Sequence, residues 1–340
     1  MRGVAYHFEF DITFAQKWSK MSYKKQTKII AVEEHFMHSP LTDHFTEVGH
    51  HPEKIKSRLY DFTSIRIDEM DQAGIDMQIL SHQSPGSQRL SSNVAASACQ
   101  KSNDELASII LKYPERFDGF AMVPSNLPDL AAKELDRAVK QLGLKGAMLH
   151  GLSAGEMVDE SKFWPIFAKA EELDVPIYLH PADPDKTVTD RYYSPYNQSH
   201  PMITRAAWGF GIETGTLAVR MILSGIFERH PKLKIILGHL GEALPFWLPR
   251  IHESLARPGN KEINFDAIFK TNFWITTSGF FSDNALDLCL KVLGDDKILF
   301  AIDWPYADNK AGVNWLTKAP ISQQIKNKIF FKNTLEILKL

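Results

Sequence analysis

Residues 28–36 read KIIAVEEHF and residues 297–305 read KILFAIDWP: each is an apolar run that ends in side chains able to bind a metal or move a proton. The pattern recurs between them. DMQILSH (76–82), FDGFAMVP (117–124), KGAMLHG (145–151), VPIYLHP (175–181), KLKIILGH (232–239) and NFWITTSG (272–279) bring the strand candidates to about eight. The intervening segments 64–74, 127–143, 160–173 and 283–294 carry apolar residues at i, i+3, i+4 and i+7, as a helix lying on a sheet requires. Gly74, Gly143 and Gly294 close helix patterns where a glycine cap is expected. Strand–helix alternation argues for a parallel sheet, and strands that are apolar throughout argue that both its faces are covered. A closed barrel and an open doubly wound sheet both fit. The first strand is not followed by a GxGxxG turn, which weakens a dinucleotide fold. Chemistry-bearing residues sit at the C-terminal ends of several strands, where barrels build active sites. The expectation is an α/β protein, a (β/α)8 TIM barrel.

The chain has 340 residues, 44% hydrophobic and 24% charged, with a formal net charge of −2. This balance gives no reason to expect nucleic acid or a membrane surface as a partner. No apolar run approaches the roughly 20 residues that span a bilayer. The first 27 residues lack an apolar core followed by a small-residue cleavage site, and are expected to be an N-terminal extension preceding a barrel over 28–340. Cys99 and Cys289 lie far apart without CxxC spacing, which suggests two reduced, buried thiols in a cytoplasmic protein. The longest strand-to-helix connection, 180–215, is the candidate substrate loop.

Glu33 and His35 are two apart, so on a strand they share a face while Glu34 points away. His180 closes the fifth strand, His239 the sixth and Asp303 the eighth. Any one of these is unremarkable alone: a histidine can be hydrogen-bonded, an aspartate can cap a helix. Together, four strands each place a metal-competent or proton-transferring group at the same end. Imidazole with carboxylate suits zinc, manganese or iron rather than soft thiolate chemistry.

These motifs resemble the amidohydrolase superfamily. E-x-H on the first strand, H-P after the fifth, G-H-x-G-E after the sixth and D-W-P after the eighth are similar to its decarboxylase group, which includes aminocarboxymuconate-semialdehyde decarboxylase. VEEHF, QILSHQSPG, AWGFGIET, SGIFERHPKLKIILGHLGE, ITTSG and DWPY look most like the gamma-resorcylate and 2,3-dihydroxybenzoate decarboxylases, over roughly residues 28–340. The resemblance implies that Glu33, His35, His180 and Asp303 hold one divalent ion, Zn2+ or Mn2+. It implies that Asp303, His239 and Glu242 are catalytic, with Arg250 near the substrate. It further implies non-oxidative decarboxylation of an ortho-hydroxybenzoate, a small aromatic carboxylic acid, by a homodimer or homotetramer. Hydrolysis of an ester, lactone or amide is the alternative that the same ligand set would serve.

There are departures. His150 stands after the fourth strand, where close relatives are expected to carry a small polar residue. Lys145 begins that strand rather than ending it, so the carboxylated lysine of two-metal relatives has no counterpart. His180 and Trp304 are further candidates for substrate contact, and Trp208, Phe210 and Trp304 for an aromatic wall. His38, His44, His50 and His51 fall in the loop after the first strand and could line the pocket.

Overall fold

A computed structural model describes residues 28–38 and 51–340. The expected extension 1–27, and the loop histidines His44 and His50, lie outside the described residues. Eight strands follow in chain order among the described residues: β1 (Ile30–Phe36), β2 (Met77–His82), β3 (Phe117–Gly119), β4 (Ala147–His150), β5 (Ile177–His180), β6 (Ile235–Leu237), β7 (Phe273–Thr276) and β8 (Ile298–Leu299). All pair in parallel, β1 to β3 in one sheet and β4 to β8 in another. Main-chain bonds join the two sheets at both edges. Ala121, just past β3, bridges Ala147 in parallel. At the other edge the Val32 N–H donates to the Phe300 carbonyl at 2.9 Å, and the His35 N–H to the Trp304 carbonyl at 2.7 Å. The ring closes, and the doubly wound alternative is excluded.

Side chains alternate across each strand as the pleat dictates. Ile30, Val32, Ile79, Met148, Tyr178 and Leu299 belong to one buried cluster, the barrel interior. Ala31, Leu80, Leu149, Leu179 and Leu237 belong to a second, packed under the helices. The helices Ile65–Ala73, Pro128–Lys140, Trp164–Leu173 and Asp283–Leu293 match the amphipathic segments of the sequence. Gly74 ends the first of them in the left-handed conformation, φ 78°.

The strands are shorter than the apolar runs that announced them. The run 297–305 yields only Ile298–Leu299. Beyond it the chain leaves the ladder to build the barrel mouth, and the N–H of Ile302 bonds a side chain, Glu34, instead of a neighbouring strand. The connection 180–215 is a series of short helical turns, Lys186–Val188, Thr189–Tyr193, Ser194–Tyr196 and Pro201–Thr204, ahead of the helix Gly209–Leu223. No helix among the described residues is long and apolar enough to cross a membrane. Cys99 and Cys289 are free and buried.

Candidate metal centre

β1 brings two groups to the mouth through a fault in its ladder. Regular alternation from Ile30 and Val32 would turn Glu34 inward and leave Glu33 and His35 outside. The register slips instead: Val32 pairs with Ile79 and Glu34 with Leu80, which leaves Glu33 as the extra residue of a bulge. Its φ is 75°. A bulge re-aims the side chains around it, and here Glu33 and His35 turn to the interior while Glu34 turns out. The shared face expected from their spacing is reached, but by a bulge rather than by the pleat.

His180 ends β5 and Asp303 follows β8. With Glu33 and His35 they offer four ligand atoms within 4.8 Å of one another. His180 Nε2 lies 3.3 Å from Glu33 Oε1, and His35 Nε2 lies 3.1 Å from Asp303 Oδ1. The Nδ1–H of His180 donates to its neighbour's carbonyl, that of Pro181, at 2.7 Å. This fixes the tautomer and points the Nε2 lone pair into the cluster. Tyr178 and Thr276 both donate to Glu33 Oε2, which turns the other oxygen inward. Gly238 makes room, since a Cβ there would sit 3.1 Å from Oε2 and 3.2 Å from Oε1.

Glu33 Oε1 and His35 Nε2 are buried and have no hydrogen-bond partner among the described residues. Orphaned acceptors facing each other in a dry site are costly unless a cation joins them. The titration behaviour has the same cause. Burial pushes the Glu33 carboxyl up to about 8, with the charge of His239 opposing and that of Asp303 adding to the rise. Burial, then the field of His35, holds the His180 imidazole well below its ordinary value. Burial works against ionisation of Asp303 too, but the adjoining imidazoles of His239 and His35 outweigh it and hold the carboxyl well below the usual range. Two carboxyl groups and two imidazoles fit a hard-to-borderline divalent ion.

His239 sits beside this cluster, its Nε2 3.7 Å from Asp303 Oδ2 and 4.0 Å from Glu33 Oε1. Its Nδ1 bonds Glu242 Oε1 at 2.7 Å. The backbone that carries the pair is left-handed throughout: φ is 48° at His239, 55° at Leu240, 82° at Gly241, 51° at Glu242 and 64° at Ala243. Only one of these five is glycine, so the turn holds local strain of the kind found at functional sites. Burial disfavours the charged imidazole of His239, but the carboxylates of Glu242 and Glu33 outweigh it and hold its pKa well above the ordinary value.

Comparison with known proteins gives this geometry a context. The amidohydrolase family pattern matches residues 35–340. The chain belongs to the amidohydrolase family. It is 36% identical over 330 residues to a gamma-resorcylate decarboxylase from Polaromonas sp. JS666, covering 92% of this chain and 98% of that one. A dihydroxybenzoic acid decarboxylase structure from Polaromonas sp. JS666, with bound manganese and 2-nitroresorcinol, superposes with a TM-score of 0.85 at 34% identity, over 93% of this chain and 98% of the other. The 5-carboxyvanillate decarboxylase of Novosphingobium aromaticivorans, with manganese and 4-hydroxy-3-methoxy-5-nitrobenzoic acid, gives a TM-score of 0.86 at 32% identity, over 94% and 98%.

The remaining expected site residues of this amidohydrolase lie apart from the cluster. Trp304 is corrected from a substrate contact or aromatic wall to a structural role. It is buried on the outer side of the barrel, its Nε1–H donates to Glu69 at 2.7 Å, and the Arg66 guanidinium lies 4.0 Å over its ring. Arg250 is likewise not at the cluster: it is exposed on the helix Leu244–Leu255. Trp208 is 54% exposed, on a patch with Tyr192, Tyr196 and Met202, so it walls no buried pocket within this chain. Phe210 is half-buried in the first turn of the helix Gly209–Leu223. His51 reaches Gln83 at 3.2 Å, and His38 pairs with Glu105. Sequence reasoning missed Tyr178, Thr276 and Glu34. Tyr178 was legible as the inward neighbour of His180, two residues earlier on the same strand; the partners of Glu34 come from the far end of the chain.

Proposed function

We propose that this amidohydrolase is a metal-dependent, non-oxidative decarboxylase of an ortho-hydroxybenzoate, with 2,6-dihydroxybenzoate the first substrate to test. The observation that carries the reading is the convergence of orphaned Glu33 Oε1 and His35 Nε2 with His180 and Asp303, in a chain whose relatives are decarboxylases. Glu33, His35, His180 and Asp303 would hold the ion. Mn2+ is the better candidate than Zn2+, because related decarboxylases bind manganese in their structures. When bound, the ion supplies Lewis-acid polarisation of the substrate's oxygens and fixes the ring. The rest falls to side chains. Asp303, ionised in the resting site, first takes the proton of the substrate's ortho hydroxyl and then delivers it to the ring carbon that bears the carboxylate, which breaks aromaticity there. The bond to the carboxyl carbon then cleaves, CO2 leaves, and its electron pair returns to the ring. His239, oriented by Glu242, donates a hydrogen bond from Nε2 to the phenolic oxygen and steadies charge on it.

The test is CO2 release from 2,6- and 2,3-dihydroxybenzoate by protein loaded with Mn2+, alongside Asp303→Asn. Loss of turnover in that variant with metal retained supports the proton-donor role. Cleavage of esters or lactones with every hydroxybenzoate left untouched overturns the reading in favour of a hydrolase.

We further propose a cytoplasmic homodimer or homotetramer that has neither nucleic acid nor membrane as a partner. Two free buried thiols support a reducing compartment. Exposed Tyr192, Trp208, Phe246 and Trp247 support an apolar contact between copies. Light scattering at micromolar concentration checks this, and a monomer would overturn it.

A further inference from the structure

β4 also ends in a histidine, and nothing above uses it. His150 pairs in register with His180 across the β4–β5 ladder. It follows Met148, an interior side chain, by two residues, so it faces inward at the height of the proposed metal ligands. Its ring centroid is 5.0 Å from that of His180, tilted by 59°. The ring is buried; the His82 backbone lies against it, and neither Nδ1 nor Nε2 makes a hydrogen bond of normal geometry among the described residues.

Gln88 repeats the pattern. It is 1% exposed, and neither Oε1 nor Nε2 has a partner among the described residues. The two side chains meet at Gly86, where an added Cβ would fall 2.6 Å from His150 Nδ1 and 3.3 Å from Gln88 Oε1. Gly86 holds a φ of 57°, so the turn is built to let both groups close on the same point. Four buried polar atoms in one place cost more unbonded than they return when bonded. A packed barrel keeps such a set where something arrives to satisfy it. Imidazole and a primary amide each offer donor and acceptor together without a fixed charge. A hydroxyl, itself donor and acceptor, complements them. A carboxylate would use only the donors.

We propose that His150 and Gln88 form a specificity subsite for an uncharged hydroxyl on the substrate ring, additional to the ortho hydroxyl beside the carboxylate. The subsite rests on the reading of this chain as a hydroxybenzoate decarboxylase. It makes dihydroxybenzoates the preferred class over 2-hydroxybenzoate, because the analogue without the hydroxyl leaves unpaired the buried imidazole and amide atoms that the hydroxyl would engage.

The experiment compares kcat/KM for 2-hydroxybenzoate with that for the 2,6- and 2,3-dihydroxy acids, in wild type, His150→Leu, Gln88→Leu and His150→Asn, with metal content and Tm measured on each. The wild type is expected to favour one dihydroxy acid by at least about tenfold. In His150→Leu and Gln88→Leu that ratio falls by about tenfold, and His150→Asn restores part of it. A merely structural role would lower both substrates together and leave the ratio unmoved. If the ratio is untouched in both leucine variants while wild type decarboxylates both classes, the subsite alone is overturned, and ordered water satisfies these groups. If wild type decarboxylates none of the acids, the functional reading falls and the subsite with it.

Discussion

Glu34 holds Asp303 in place without touching it. Its carboxylate accepts the N–H of Ile302 at 2.9 Å on one oxygen and the N–H of Trp304 at 3.2 Å on the other, the two neighbours of Asp303. Asp303 has a φ of 72°, a conformation that costs a non-glycine residue free energy and persists only when its surroundings insist on it. Behind the clamp, Gln78 donates to Glu34 at 3.4 Å, and buried Arg66 donates to Gln78 at 3.1 Å and to the His35 carbonyl at 2.5 Å. One network on the outer face of β1 therefore fixes the backbone of two proposed ligands, His35 and Asp303.

Glu34→Gln tests the clamp. An amide has one acceptor oxygen where the carboxylate has two, so one of the two N–H groups flanking Asp303 loses its partner. Turnover and metal affinity are expected to fall by roughly 10–100-fold, the range typical of groups that orient metal ligands. Metal titration and steady-state rates check it. Wild-type values for both would show that Asp303 needs no such support.

Metal removal gives a second, independent readout. Chelation is expected to abolish turnover and lower Tm, because an ion that binds only the folded chain stabilises it by mass action. Mn2+ should restore both. His180→Ala removes one of the four proposed ligands, so the purified variant is expected to carry well under one equivalent of metal. Full metal content and activity in that variant would overturn the ligand set.

How much of this was legible beforehand depended on whether the cause was local. The barrel was, because apolar runs and amphipathic segments carry the periods of strand and helix. So were His180, His239 and Asp303, each at the end of such a run. The bulge at Glu33 was not: it depends on how β1 registers against β2, and VEEHF reads as regular alternation. Trp304 misled because D-W-P suggests the mouth, while the side chain packs outward under Arg66, 238 positions earlier in the chain. The left-handed run from His239 to Ala243 was equally hidden, since only Gly241 within it signals positive φ.

That run predicts a substitution of unusual sign. Ala→Gly normally destabilises, but Ala243 is exposed with φ 64°, where glycine pays no steric penalty. Ala243→Gly is expected to leave stability unchanged or raise it by up to about 1 kcal/mol, once the extra chain entropy of glycine is set against the relieved strain. Urea unfolding measures it. A loss greater than about 1 kcal/mol would show that the turn is not strained at this position.

His82 governs a pH window of its own, with the field of His35 a minor contributor. It is 2% exposed at the end of β2, its Nδ1–H donates to the Gln83 carbonyl at 2.9 Å, and its Nε2 accepts the His38 N–H at 3.2 Å. Both nitrogens are committed to the neutral ring, and protonating Nε2 would destroy an acceptor in a dry site. Burial, against a weaker pull from the bond to Gln83, lowers its pKa from 6.5 to about 4. Because the unfolded chain binds this proton first, the contribution is intact above pH 6.5 and is lost as pH falls towards 4. Its full size is about 3 kcal/mol at the usual conversion of pKa difference to free energy. His82→Gln keeps a donor and an acceptor but cannot titrate. Denaturant unfolding of metal-free protein at neutral pH and near pH 4.5 should show the wild type losing more stability than the variant across that interval, by an amount approaching this figure. Equal losses in the two proteins would mean that His82 does not set the acid limit of the fold.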